Sequence, residues 1–186
     1  LFRLLGEEYV DDQTKDAYRT LETFPSLAYI SAGIARRFDE VPASISGLNI
    51  PLREPLRVGQ TTHDRVTIQI YNFDPTVAPH GKTLITAPLD TDLASWQDLY
   101  DRGEDGYRAE RQRIADAVLA ALDEQLGDVL PHVEFTDVAT PVTYRNWTGN
   151  HKGSYEGWLP TPDALRTRLP SRFSGLSNFY MCGHWV

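Results

Sequence analysis

The 186-residue sequence contains a single cysteine, Cys182, so it cannot form an internal disulfide, and one thiol is too few for a cysteine-based metal site. No apolar run approaches the roughly 20 residues that are needed to span a bilayer. The segment from Leu1 to Gly6 lacks the apolar stretch and cleavage site of a secretory signal. We therefore expect a chain without a membrane span in a reducing, cytoplasmic compartment. The absence of an initiator methionine indicates a piece of a longer protein.

Basic residues are also scarce. The chain has 18 lysines and arginines against 26 aspartates and glutamates, which gives a net charge of -8. Arg36 and Arg37 are adjacent, but no long basic run exists. Nucleic-acid binding needs a dense basic face that neutralises phosphates, so we expect no nucleic-acid partner.

Several motifs that carry chemistry are missing. No Gly-x-Gly-x-x-Gly follows a strand, and no Gly-x-x-x-x-Gly-Lys-Ser/Thr occurs, so the chain lacks its own nucleotide phosphate cradle. Neither a Gly-x-Ser-x-Gly elbow nor a His-Glu-x-x-His pair is present. The histidines are isolated from one another, and we therefore expect no metal site. They are His63, His80, His132, His151 and His184.

Hydrophobic periodicity predicts an α+β fold. Residues 104–126 repeat apolar side chains every three or four positions, which is typical of a helix, and Gly127 is placed to end it. Residues 65–71 alternate as a half-buried strand does, and we expect them to pair with 82–87 as an antiparallel hairpin with a long connection. The other predicted elements are a helix at 13–22 and strands at 27–35, 132–138 and 178–183, the first of them covered on both faces.

The segment 38–63 contains three prolines and shows little periodicity, so we expect loops there with one short strand near 46–50. Hairpins combined with segregated helices favour a mixed, largely antiparallel sheet covered by helices over a doubly wound sheet.

Residues 141–158 form the densest cluster of unusual composition. They contain three glycines and four aromatic residues among several hydrogen-bonding side chains. Glycine allows a backbone to approach a ligand closely, and aromatic faces suit a flat or extended apolar partner. An ordered surface loop whose aromatic side chains fill the core has the same composition. The composition leaves both interpretations open.

An ordered set of short motifs gives a more specific indication. The motifs are, in order, Thr140-Pro141, Arg145, Thr148-Gly149-Asn150, Gly153-Ser154, Gly157 and the segment Asn178 to Trp185. This set resembles the late region of FAD-dependent oxidoreductases similar to phytoene desaturases and carotenoid isomerases. The Pro25-Ser26 pair that leads into the strand at 27–35 also resembles the middle region of that family.

The resemblance implies that the chain is the substrate-side part of such an enzyme, with the substrate domain at 1–177 and a strand that starts at 178 and returns to a separate FAD-binding domain. FAD would belong to the whole protein, and the isolated chain would bear no cofactor. Gly183, His184 and Trp185 would approach the isoalloxazine ring. The residues implied at the substrate or the domain junction are Tyr144, Arg145, Trp147, Thr148, Gly149, Asn150, His151, Gly153 and Ser154. No catalytic acid or base can be carried over.

A small apolar or amphipathic substrate, such as a polyene, would suit a wall that is lined by Tyr29, Tyr71, Trp147 and Trp158. Ordinary core packing is the competing explanation for each of these four side chains. The resemblance also implies exposed apolar surface at the domain junction, which allows self-association into homo-oligomers. Two other functions stay open at this point: a domain that binds a small ligand without chemistry, and a scaffold for a partner enzyme.

Overall fold

The computed structural model describes all residues from Leu1 to Val186. They form six α-helices and five β-strands, joined by loops and two short 3-10 turns. The helices are α1 (Phe2–Leu5), α2 (Asp12–Thr20), α3 (Leu93–Arg102), α4 (Glu104–Leu126), α5 (Pro141–Thr148) and α6 (Pro162–Arg166). The strands are β1 (Ser26–Ile34), β2 (Gly47–Val58), β3 (Thr61–Ile70), β4 (Thr83–Thr91) and β5 (Val133–Ala139).

All five strands belong to one sheet in the order β2-β3-β4-β1-β5, and every neighbouring pair is antiparallel. The α+β class is therefore confirmed. The expectation of a mixed sheet is wrong in its detail, since no parallel pair occurs. β1 lies between β4 and β5. The glycine-rich segment after α5 is attached to the residues that lead into β1.

The core lies on one face of the sheet. Ala28, Ile30, Ala32 and Ile34 alternate along β1 and are completely buried on this face. Helices α3 and α4 cover them with side chains such as Trp96, and the whole core cluster contains 26 buried residues. The prediction that both faces of β1 are covered is wrong, because the intervening residues Tyr29, Ser31 and Gly33 are only partly buried. We call the face that carries these three residues the open face.

Most elements with strong periodicity form where they were predicted. α4 spans the predicted residues 104–126, and Gly127 follows with a positive φ of 68°. The helix at 13–22 corresponds to α2, and the strands at 27–35 and 132–138 correspond to β1 and β5 within one residue at each end. The predicted hairpin is also confirmed, because β3 pairs with β4 across a long connection.

The prediction for 38–63 is right only in part, because the short strand expected near 46–50 overlaps β2, but β2 continues to Val58 and occupies twelve of these residues. Pro51 and Pro55 obscured the strand in the sequence. A proline cannot donate to a strand ladder, but β2 is at the edge of the sheet, where one side of each residue needs no partner. The pairing of β2 with β3 also shifts between Pro51 and Leu56, which is the irregularity that a β-bulge produces.

Four helices were not predicted: α1, α3, α5 and α6. The caps of the two longer ones, α3 and α5, show how they begin. Helix α3 begins at an N-cap, where the side chain of Asp92 accepts a hydrogen bond from the backbone nitrogen of Ser95. Helix α5 begins with a reciprocal capping box between Thr140 and Thr143, with Pro141 in its first turn. The first half of the glycine- and aromatic-rich cluster is therefore a short helix and not a loop.

The strand predicted at 178–183 is not formed, since these residues adopt only bends and irregular structure. The backbone nitrogen of Met181 donates to the carbonyl of Ser171 at 2.8 Å, and no strand lies beside the segment to pair with it. The proposed division of the chain at residue 178 stays a prediction.

Candidate functional site

The glycine-rich segment after α5 is fixed against the residues that lead into β1. Ser26 Oγ donates to the carbonyl of Lys152 at 2.8 Å, and the backbone nitrogen of Phe24 donates to the carbonyl of Gly157 at 3.0 Å. Isolated β-bridges also join Ser26 to Ser154 and Thr23 to Trp158. The segment is thus held by backbone contacts at the entrance of a central strand.

The C-terminal residues contact the same segment. The indole nitrogen of Trp185 donates to Oδ1 of Asn150 at 3.2 Å. Trp158 contributes two more hydrogen bonds, from its ring nitrogen to the carbonyl of Trp185 at 3.3 Å and from its backbone nitrogen to the carbonyl of His184 at 3.4 Å. The structure therefore brings together Asn150, which the resemblance placed at the substrate or domain junction, and His184 and Trp185, which it placed near the flavin ring.

Gly157 is required for this contact. A Cβ atom at this position would lie 1.8 Å from the carbonyl oxygen of His184, a distance that no real side chain tolerates. Because the obstructing atom belongs to the backbone, a side-chain rotation cannot relieve the clash. The tail can therefore lie against the segment only if residue 157 is a glycine.

Four rings meet where the tail docks: Tyr18, His151, Trp158 and Trp185, which we call the aromatic junction. The centroids of Trp158 and Trp185 are 4.9 Å apart with nearly perpendicular planes, and Tyr18 lies 5.0 Å from Trp158 and 5.1 Å from His151. Edge-to-face pairs of this kind stabilise by about 0.5–1.5 kcal/mol beyond the burial of their area. Sequence reasoning missed Tyr18, because it assigned that residue only to a helix.

His151 is the titratable group of the aromatic junction. Its Nε2 atom is buried and has no hydrogen-bond partner. Burial lowers the pKa of the imidazole, the nearby Lys152 ammonium lowers it further, and contact with the backbone of Tyr18 opposes both effects. Burial also raises the pKa of the Tyr18 phenol. Both groups are thus favoured in their uncharged forms.

The open face of the sheet carries several tyrosines. Burial raises the pKa of Tyr29, and its neighbours Thr86 and Tyr71 also act on it. Burial likewise raises the pKa of Tyr144, which lies near enough to Tyr29 and Tyr155 for them to raise it further. Ionised phenolates are therefore disfavoured here, and these side chains are available as neutral hydrogen-bonding groups at physiological pH.

The four aromatic residues predicted to line one wall do not do so. Tyr29 and Tyr71 are neighbours on the open face, whereas Trp158 belongs to the aromatic junction. The side chain of Trp147 is 87% exposed and packs against no other ring. Its position on the outer side of the short helix α5 explains its exposure.

The remaining predicted junction residues serve mainly the local backbone. Gly149 is the left-handed C-cap of α5, and the Thr148 hydroxyl donates to the carbonyl of Tyr144 at 2.7 Å. Gly153 has a φ of +65°, and a Cβ there would lie 2.6 Å from the carbonyl oxygen of Pro141. Gly153 therefore allows the backbone of Pro141, in the same chain, to approach it closely. Arg145 contacts only the neighbouring Asn146 side chain among the hydrogen-bonding groups.

Gly183 differs from Gly153 and Gly157, whose Cβ positions are obstructed by backbone atoms. Its φ is +93°, and a Cβ atom would meet nothing within 4 Å. Cys182 and His184 beside it are exposed as well. A flat ring system could lie against this free backbone edge together with Trp185. The residues therefore fit contact with one edge of a flavin ring, while the sequence contains no cradle for the FAD phosphates.

No family model matches the sequence, and no curated protein matches it. No group of three or more histidine, cysteine, aspartate or glutamate side chains is arranged to hold a metal ion. None of the helices combines the length and the apolar character that crossing a membrane requires.

Proposed function

We propose that this chain is the substrate-side part of an FAD-dependent oxidoreductase related to phytoene dehydrogenases, and that it acts on a small apolar or amphipathic substrate. The observation that carries the proposal is the contact of His184 and Trp185 with Asn150 and Trp158. Asn150 belongs to one of the motifs on which the resemblance depends, His184 and Trp185 belong to another, and Trp158 directly follows the motif residue Gly157. Their contact supports a common role for the two motifs.

The proposed roles of this chain and of the separate FAD-binding domain follow from the motifs that the chain contains and lacks. When bound, FAD supplies the hydride-transfer chemistry. Gly183, His184 and Trp185 would contact its ring, because the edge of the chain is free at Gly183. The phosphates would be held by a different stretch of polypeptide, since no glycine-rich phosphate motif occurs here.

The open face is the proposed substrate wall. Tyr29, Tyr71 and Tyr144 present aromatic surface on or beside it, while helices cover the opposite face. Aromatic rings provide a large apolar area for a flat or extended ligand and keep a hydroxyl for orientation. In this role the chain binds and orients the substrate and shields it from water.

A second function has one observation in its favour. The 26-residue core is built from this chain's own strands, helices and loops, as expected of a domain that binds a small ligand, or scaffolds a partner, without chemistry. Such a domain would keep the open face as its binding surface but would have no use for a flavin.

Flavin binding distinguishes the two functions. The chain should be expressed together with the coding sequence that adjoins it, and the absorption spectrum of the purified protein should be recorded. We expect bound flavin in the longer protein and a colourless, inactive preparation of the 186-residue chain alone. A longer protein that purifies without flavin and cannot be loaded with FAD would contradict the oxidoreductase proposal.

A Trp185→Ala variant of the longer protein tests the predicted ring contact, with Leu165→Ala as the control at an exposed apolar side chain outside the predicted site. We expect the first variant to alter the flavin spectrum or to weaken flavin retention, and the control to leave both unchanged. Identical behaviour of the two variants would contradict the placement of the tail against the flavin.

A further inference from the structure

A continuous row of polar residues crosses the open face. Ser31 of β1 lies directly opposite Asp137 of β5 and Thr86 of β4, and Thr86 lies opposite Gln69 of β3. Side chains opposite each other in paired strands project on the same face of a sheet, so these four residues form one line across four strands. We call this line the polar row.

Apolar residues flank the polar row on both sides. Two residues further along the strands in one direction, Gly33 lies opposite Leu84 and Phe135, and the Phe135 ring covers the glycine. In the other direction, Tyr29 lies opposite Pro88 and Ala139, and its hydroxyl lies close to the hydroxyls of Thr86 and Tyr71. The open face thus has a hydrogen-bonding stripe between one apolar stripe and a second stripe in which the Tyr29 ring is the main apolar surface.

The row keeps unused hydrogen-bonding capacity. Oε1 of Gln69 accepts from the Thr86 hydroxyl at 3.1 Å and from the Tyr71 hydroxyl at 3.0 Å. The side-chain nitrogen of Gln69 makes no hydrogen bond within the chain, although Oε1 of the same amide accepts two. The Ser31 hydroxyl also makes no hydrogen bond within the chain. The Gln69 amide is held in one orientation and points its donor group away from these two partners.

The fourth member of the row is already paired. Asp137 accepts from Arg111 at 2.8 Å, and the same guanidinium donates to the carbonyl of Val138 at 2.8 Å. This pairing neutralises the only formal charge in the row, so the row offers neutral donors and acceptors. Neutral groups of this kind suit an alcohol or carbonyl oxygen better than an ionised group.

We infer that the open face recognises an apolar ligand that carries a hydrogen-bonding oxygen, an alcohol or a ketone, and discriminates against a pure hydrocarbon. The inference rests on the proposed function for the identity of this face as the substrate wall. A hydrocarbon laid across the polar row would remove water from Gln69 and Ser31 without replacing its hydrogen bonds, and unsatisfied polar groups oppose such burial. An oxygen over the row accepts from the Gln69 amide while the apolar stripes hold the carbon skeleton.

The test compares farnesol with the hydrocarbon farnesene on the chain labelled with nitrogen isotope for NMR. We expect farnesol to shift the side-chain amide resonance of Gln69, and farnesene to leave it unshifted. Thr86→Val removes one of the groups that orient Gln69, and Gln69→Met removes the donor itself. Because a hydrogen bond contributes about 0.5–1.5 kcal/mol net, each variant should weaken farnesol binding by roughly two- to tenfold.

The control variant is Thr136→Val, which makes the same change on β5 but on the other face, where Thr136 lies opposite Ala32. It should leave farnesol binding unchanged. Gln69 is exposed, so Gln69→Met decides the result if Thr86→Val does not fold. The inference is overturned if farnesene binds at the row as well as farnesol does, if neither probe reaches the row, or if the control weakens binding as much as the other variants.

Failure of this inference and failure of the proposed function give different results. A longer protein that binds FAD but prefers farnesene retains the oxidoreductase proposal and loses the selectivity. A longer protein without flavin whose polar row still selects farnesol loses the oxidoreductase proposal and retains the selectivity of the face.

Discussion

The side chain of Asn150 accepts a hydrogen bond from the indole of Trp185 and donates one to the carbonyl of Ser154 at 3.0 Å. One amide therefore fixes the glycine-rich segment internally and attaches the tail to it, across 35 residues of sequence. The contact depends on the backbone approach at Gly157 and on the packing of the aromatic junction. Substitutions at Gly157 and at His151 test these two features separately.

Substitution of Gly157 by alanine should displace the tail. The new Cβ would lie 1.8 Å from the carbonyl oxygen of His184, so the two backbones must separate. Overpacking of this kind destabilises by about 1–3 kcal/mol. We expect faster proteolytic cleavage after residue 178 and an emission spectrum shifted toward that of exposed tryptophan.

Gly106→Ala is the matched control. Gly106 lies inside α4, and a Cβ there would meet nothing within 4 Å. Alanine in the interior of a helix is favoured over glycine by roughly 0.5–1 kcal/mol, so this variant should be more stable, with unchanged proteolysis of the tail. A tail that stays protected in Gly157→Ala would refute the described contact.

Protonation of His151 should destabilise the aromatic junction. The folded state lowers the pKa of this imidazole, so the unfolded chain binds its proton at a higher pH than the folded chain does. Stability is therefore lost as pH falls below the unfolded value of about 6.5, and the loss is complete once pH has passed the folded value. Denaturant titrations at a series of pH values measure this dependence.

The variant His151→Gln should flatten the pH dependence in that range, whereas His80→Gln, at an exposed histidine, should preserve it. Tryptophan fluorescence provides a local readout, because Trp158 and Trp185 both lie within 6.4 Å of His151 between ring centroids. A pH dependence that is the same in both variants would show that another group is responsible.

Removal of the Tyr107 hydroxyl should destabilise the junction of α4 with the start of α5. Tyr107 is buried, and its hydroxyl is hydrogen-bonded to the Thr140 hydroxyl, which also takes part in the capping box of α5. Tyr107→Phe leaves a buried polar group with a missing partner, which costs about 1–3 kcal/mol. Unfolding in urea, followed by circular dichroism, measures the loss.

Tyr100→Phe makes the same change on the neighbouring ring, whose centroid is 5.5 Å from that of Tyr107. Tyr100 is 46% exposed, so we expect a change within about 0.5 kcal/mol. Equal losses in the two variants would contradict the role assigned to the Thr140 hydrogen bond.

Trp147 should promote self-association of the isolated chain. Its side chain is 87% exposed on α5, and large exposed apolar groups favour association in water. Trp147→Ser should shift a concentration series in analytical ultracentrifugation toward monomer and change the free energy of unfolding by less than about 0.5 kcal/mol. Leu165→Ser, at a side chain that is 74% exposed on α6, is the control, and an equal shift would assign association to general apolar exposure.

The strongest local patterns were sufficient to predict several elements. The spacing of Ile114, Val118 and Leu122 predicts α4, because a helix places these side chains on one stripe, and Gly127 marks its end. The alternation from Val66 to Ile70 predicts β3 for the corresponding reason in a strand. These signals are contained within a few turns of chain, so they require no knowledge of distant partners.

The predictions for β2 and for the segment 178–183 were wrong in opposite directions for the same reason. β2 is rich in proline but forms a strand, since β3 is available to pair with it and its other side lies at the edge of the sheet. The segment 178–183 is apolar and aromatic but forms no strand, because no partner lies beside it. Pairing, which decides both outcomes, is not encoded in the local composition of either segment.

The sequence by itself determined the α+β class, the long helix, the alternation that buries one face of the sheet, and the motifs that the two ends of the candidate site carry. Only the tertiary structure decided that Trp185 meets Asn150, that Tyr18 joins the aromatic junction, and that Ser31, Thr86 and Gln69 lie in one row. The physical reason is range. Helix and strand periodicity arises from neighbours along the chain, whereas strand register and tail docking depend on contacts between residues that are distant in sequence.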